Sequence, residues 1–311
     1  MRFDDLITRV TNDLVTAIEA GADNWTMPWH TIATTAQPRS IDHRPYRGLN
    51  ALVLALHGTE RGWTSGTWAT YRSWQRHGAQ VRRGETATHV VLWKPVNRTD
   101  NTDNEPTSET TDDTPATRGR LVSRVFAVFA AEQVDGADPE LTTRTIDLDL
   151  PGRVLEADNY FATIGADVVV GGNNAHYSPG FDRIHVPHLS QFQQPALYYS
   201  TLAHEHTHWT AHPTRLDRNL TGRFGDDAYA IEELIAELGA AYWSAQTSLS
   251  QATRHDHASY IAHWVRVLRE HPRVLLTVTA RAQAALDYLN HAAGILPPPV
   301  EDTADEPALA A

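Results

Sequence analysis

The sequence predicts an α+β protein of two domains, a small mixed α/β domain followed by a second one built mostly of helices. Three observations carry this. The chain has 311 residues, and domains of about 150 residues make that roughly two. In the first half, two β-rich segments, 86–93 (TATHVVLW) and 121–130 (LVSRVFAVFA), stand among amphipathic helical stretches. In the second half, two short β-rich segments are followed by a run of four helical ones.

Each element has its own local cause. Residues 2–20 place Phe3, Leu6, Ile7, Val10, Leu14 and Ile18 at helical spacing, and Gly21 supplies a stop. Residues 22–45 are polar, contain Pro28 and Pro38, and read as loop. Short helices are expected over Asn50–Leu56 and Thr70–His77, the second ended by Gly78. The segments 86–93 and 121–130 can pair as strands of a curved antiparallel sheet. Between them, 99–117 (TDNTDNEPTSETTDDTPAT) has no apolar side chain except Pro and Ala, and is expected to be a disordered acidic insertion. This gives a first domain of 1–134, a polar link of 135–150 and a second domain of 151–296. In the second domain, 154–164 reads as helix, 167–170 and 183–186 as strands, and 195–211 as a long helix opened by Pro195. Helices follow at 229–246, 256–270 and 273–292, with Pro272 separating the last two. The tail 297–311 is Pro-rich and acidic and is expected to be disordered.

Composition excludes several chemistries. The chain has no cysteine, so disulfides, Cys-ligated zinc, iron–sulfur clusters and thiol nucleophiles are out. No apolar run approaches the ~20 residues of a membrane span, so no membrane partner is expected. The start, MRFDDLITRV, lacks the basic-then-apolar plan of a signal peptide, which makes the cytoplasm the expected compartment. The net charge of −12 argues against nucleic acid, but its distribution does not. Residues 39–98 hold 10 basic and 3 acidic side chains, and the acidity lies elsewhere.

The sharpest motif is LAHEHTHW, 202–209, which contains H-E-x-x-H as His204, Glu205 and His208. On a helix, residues four apart stand one above the other, so both imidazoles can reach one metal ion. Neutral imidazoles suit Zn2+, and other divalent ions such as Mn2+ are compatible. Glu205 then lies beside the ion as a proton acceptor. Downstream, AIEELIAELGAAYW places Glu233 and Glu237 four residues apart on a second helix. One can be the third ligand and the other can orient a ligating His. Glu232 is expected to face away. His206, about 200° around the helix from His204, and His212, near the helix end, read as bystanders. Tyr229 is a candidate oxyanion stabiliser.

Residues 25–94 are dense in tryptophan, tyrosine and arginine. Single-stranded nucleic acid is held by stacking on aromatic faces and by a basic groove for its phosphates. Arg47, Arg82 and Arg83 are the candidate phosphate contacts, with Trp68 and Tyr71 as stacking platforms.

Seven stretches, in order, resemble the ArdC-type antirestriction proteins of conjugative plasmids and phages. They are NWTMPWH, RPYRGLNALVLAL, GWTSGTWATYRSWQRHGAQVRRGE, VFAVFAAEQVDG, AHYSPGFDRIHVP, LAHEHTHWTAHPTRLDR and GRFGDDAYAIEELIAELGAAYW. The resemblance implies a single-stranded-DNA-binding domain of the kind shared with TraC-type plasmid primases, then a zincin-like metallopeptidase domain. It implies Glu233 as the third ligand and Glu237 behind it, and an H-E-x-x-H helix packed under a sheet whose edge strand includes Ile184. It also implies a protein that protects incoming DNA from host restriction, with restriction-enzyme subunits or other DNA-bound proteins as candidate partners. Proteolysis need not be part of that role.

Overall fold

The computed structural model describes residues 2–21, 37–95, 121–142, 150–218, 220, 227–249 and 258–295. The expected disordered segments 99–117 and 297–311 lie outside the described residues. So do most of the loop after the first helix and the end of the expected link.

Helix α1 spans Phe3–Gly21 and buries the apolar stripe read from its spacing, from Leu6 to Ile18. That stripe packs against a helix from the far end of the chain. Thr11 Oγ1 donates to the Pro272 carbonyl at 3.1 Å. Arg269 reaches Glu19 at 2.8 Å and Arg273 reaches Asp4 at 2.5 Å.

The first unit follows with β1 (Arg39–Ser40), α2 (Gly48–Glu60), β2 (Thr67–Ala69), α3 (Tyr71–Arg76), β3 (Gln80–Val81), β4 (Thr88–Pro95) and β5 (Leu121–Ala130). After a single 3-10 turn come β6 (Val134–Asp135) and α4 (Pro139–Thr142). The main sheet has the order β1-β2-β5-β4. β4 pairs antiparallel along its whole length with Leu121–Val128 of β5, as the β-branched and aromatic residues of the two segments predict. The sheet is not all antiparallel, however, because β1 and β2 run parallel. Those strands have two and three residues, too short for any periodicity to announce them. The outer edge of β4 is covered by α2: the Asn50 amide donates to the Val91 carbonyl at 2.7 Å and accepts from the Val91 N–H at 2.8 Å. α3 starts where Thr70 caps it, its hydroxyl accepting from Ser73 N–H at 3.2 Å. It ends at Gly78, whose φ of +76° suits glycine. β6 pairs with β3, so the expected link of 135–150 begins inside the first unit.

The second unit comprises α5 (Leu150–Ile164), β7 (Asp167–Val170), β8 (His176–Ser178), β9 (Arg183–Val186), α6 (Pro195–Trp209), α7 (Asp227–Thr247), α8 (Ala258–Glu270) and α9 (Val274–Ala292). Its sheet has the order β7-β9-β8. Ile184 therefore lies on the central strand, not at the edge. The edges are β7 and β8, the latter three residues whose polar composition hid it. Ile184 and Val186 point to the α6 side and are fully buried.

The architecture has two domains, yet one continuous apolar core runs through both, from Leu6 in α1 to Leu289 in α9. At the seam, Tyr242 of α7 donates to the Gly48 carbonyl at 3.0 Å, and Gly48 N–H donates to Gln283 Oε1 at 3.0 Å. No helix among the described residues is long and apolar enough to cross a membrane.

Candidate metal centre

α6 and α7 lie side by side at the centre of the second unit and are buried on nearly every face. Their closeness has a specific cause. A Cβ at Gly239 would stand 2.5 Å from Thr207 Oγ1 and 2.7 Å from its Cγ2. Only a residue without a side chain lets α7 approach α6 this closely.

At this crossing His204, His208 and Glu233 converge, each offering one ligand atom within 4.8 Å of the others. The two Nε2 atoms are 3.1 Å apart. Glu233 Oε2 is 3.6 Å from His204 Nε2, and Oε1 is 3.6 Å from His208 Nε2. Two nitrogens bound at about 2.0–2.1 Å to one tetrahedral ion stand about 3.3 Å apart. The triangle therefore fits a divalent cation with one position left open.

The other ring nitrogens are braced. His204 Nδ1 is 2.8 Å from Glu237 Oε1, a carboxylate with no exposure at all. His208 Nδ1 is 3.2 Å from Glu232 Oε1. Such carboxylates fix the tautomer and aim the free nitrogen at the ion. Glu232 is thus a correction: it faces the centre and is buried. Arg218, itself buried, holds Glu232 through Nε at 3.0 Å and Nη2 at 2.8 Å. It also ties back to α6 at the Thr210 hydroxyl and the Thr207 carbonyl. Glu232 and Glu233 differ by about 100° around α7, and on a helix buried all round both directions are used.

Burial pushes the Glu233 carboxyl up, but the adjacent imidazoles of His208 and His204, with a hydrogen bond from Tyr229, hold it down at about 2. Burial opposes ionisation of Glu232 as well, and its bonds to His208 and Arg218 outweigh it. Both acids are ionised where a cation requires them. Tyr229, half-buried at the start of α7, is thereby placed against the third donor. Glu205 adjoins His204 on α6 and is 3% exposed. His206 points away, with Nδ1 at 2.7 Å from the Leu202 carbonyl and its ring against Phe161. Burial lowers its pKa to about 4. His212 contacts the Thr214 hydroxyl in the turn after α6.

Glu232→Gln is expected to lower metal affinity about tenfold to a hundredfold without unfolding the chain. Competition against a chromogenic chelator reads this directly. An unchanged affinity would remove Glu232 from the positioning set.

The five nucleic-acid candidates are scattered. Trp68 is 2% exposed and packs edge-on to Trp63, so it is no open stacking platform. Arg47 is ion-paired to Asp287 of α9 at the seam between the units. Arg82 is bonded to Glu85, to Asp135 and to the Glu132 carbonyl, which makes it a clamp for the β3–β6 corner. Tyr71 is 42% exposed, edge-on to Phe129. Arg83 is exposed in the turn after β3.

A glutamate-completed H-E-x-x-H helix pair under a small mixed sheet defines a zincin-like domain, and residues 155–281 match the family model of that description, zincin-like metallopeptidase. Residues 4–129 match the N-terminal domain of anti-restriction factor ArdC. The crystal structure of the antirestriction protein ArdC from the R388 plasmid, metal-free, superposes with a TM-score of 0.75 at 34% identity, over 93% of this chain and 98% of that one. Its Mn(II)-bound form gives 0.73 at 34%, over 92% and 97%. The protein y4eC of Sinorhizobium fredii is 38% identical over 92% of both chains. The DNA primase TraC of Escherichia coli is 33% identical over 90% of this chain but only 26% of the primase. The chain belongs to the ArdC antirestriction family.

Proposed function

We propose that this protein binds single-stranded DNA through its first unit and protects incoming plasmid or phage DNA from host restriction in the cytoplasm. The observation that carries this reading is the likeness to ArdC over 93% of this chain and 98% of that one, at 34% identity. The second unit holds Zn2+ through His204, His208 and Glu233. Mn2+ is the alternative, since it occupies the ArdC structure. A divalent ion there supplies a Lewis acid with one open position. The chain's own residues aim the imidazoles and keep the third donor ionised.

The test joins three measurements on the full chain: metal content, a titration of single-stranded against duplex DNA at several salt concentrations, and plasmid transfer into restricting and non-restricting hosts. Preference for single strands, affinity that falls with salt, and rescue confined to the restricting host are the expected results. Equal transfer with and without the protein into the restricting host would refute the reading.

A second reading, a zinc peptidase acting on DNA-bound proteins such as restriction subunits, is favoured by two features. Glu205 remains beside His204, and Tyr229 is bonded to Glu233. In that chemistry Glu205 takes a proton from water and Tyr229 faces the developing oxyanion. Glu205→Gln is expected to keep the metal and lose any peptide release, with or without DNA. Peptide release that survives the substitution would remove Glu205 as the proton acceptor.

A further inference from the structure

We propose that a pocket on the first unit's sheet captures one unpaired base of single-stranded DNA; the inference rests on the DNA-binding reading above and gives it a place. The pocket opens across β1, β2 and β5 and measures about 420 Å3, including its mouth. It is lined by the buried Tyr46, Trp68 and Ser40, by the half-buried Phe126 and Thr70, and by the exposed Asp42.

The polar part of this lining is chemically suited to a base edge. Ser40 Oγ accepts from Arg44 N–H at 3.2 Å, and Thr70 Oγ1 accepts from Ser73 N–H at 3.2 Å. Each hydroxyl keeps its own hydrogen to donate, and the Asp42 carboxylate can only accept. Donors and an acceptor around an aromatic slot match a nucleobase, which carries both kinds of group and a π-face. The surrounding charge matches a phosphate backbone. Arg44, across the turn from Ser40, and Arg72, beside Ser73 on α3, are exposed and have no carboxylate partner among the described residues. Asp42 is the acid at the mouth, and two unpaired cations exceed it. His43 within this turn has a left-handed φ of +62°.

The test compares a short mixed-sequence single strand with an abasic strand of equal length and charge. Wild type is expected to bind the mixed strand about tenfold more tightly, the effect of one stacked base. Ser73→Phe, which fills the pocket, and Phe126→Ala, which removes an aromatic ring from its lining, are both expected to bind the mixed strand only as well as the abasic one. Thermal melting confirms that each variant is folded. Arg44→Ala and Arg72→Ala lower both affinities together and flatten the salt dependence. Equal binding of the two strands by wild type overturns the pocket while leaving DNA binding intact. No binding of either strand overturns the DNA reading and the pocket with it. Ser73→Phe that keeps the tenfold preference but alters sedimentation assigns the pocket to a protein contact and also overturns the proposal.

Discussion

His208→Ala is expected to yield a folded protein that purifies without metal, and His204→Ala a protein that has lost both metal and further stability. The difference follows from what each ring leaves behind. Glu232, the brace of His208, keeps its bonds to Arg218 when the ring is removed. Glu237, the brace of His204, is fully buried. Removing the ring takes one close partner from a carboxylate that is wholly out of water, at a cost of about 1–3 kcal/mol. The metal contribution is common to both variants. An ion present at about a thousand times its dissociation constant stabilises the fold by about 4 kcal/mol. In a chain of this size that is about 10 °C of melting temperature. A chelator is therefore expected to lower the wild-type melting temperature by that amount and to leave both variants where they are. Elemental analysis should read about one ion per wild-type chain and none in the variants. A variant that retained the ion, or that melted lower still on chelation, would show that another donor set holds it.

Much of this centre was legible because its spacing is dictated by one helix. Three intervening residues within α6 put His204 and His208 on one face wherever that helix packs. The same logic reached Glu233 and Glu237 but misplaced Glu232. Periodicity assigns one face of a helix to the core and the opposite face to water, and α7 has no water face along most of its length. The signal that could have found Glu232 was composition: Ala, Leu, Ile and Gly surround it on both sides of the helix. Arg218 lies beyond the end of α6, where no periodicity relates it to α7. The first unit was legible in its long elements and opaque in its short ones. β1, β2, β3 and β6 have two or three residues each, and long-range pairing alone makes them strands. Arg47 read as a DNA contact because its charge is visible in the sequence, whereas its partner Asp287 lies 240 residues away.

The nearness of α6 and α7 sets the centre's geometry, and Gly239→Ala is expected to break it. The added methyl would lie 2.5 Å from Thr207 Oγ1, far inside van der Waals contact. Thr207 has little freedom to yield. It is β-branched and fully buried, and its hydroxyl donates to the Ala203 carbonyl at 2.9 Å. The helices must therefore move apart where Thr207 stands, between His204 and His208 in sequence. Glu233 travels with α7, so its two 3.6 Å approaches to the Nε2 atoms lengthen together. Overpacking of this kind costs about 1–3 kcal/mol, and the metal affinity is expected to fall alongside the stability. Thr207→Ala removes both atoms that the methyl would strike most closely. The double variant is then expected to recover most of the metal affinity that Gly239→Ala loses, a coupling of about 1 kcal/mol or more in a double-mutant cycle. Losses that simply add would mean that Gly239 serves the backbone of α7 alone, and that the helix separation is set elsewhere.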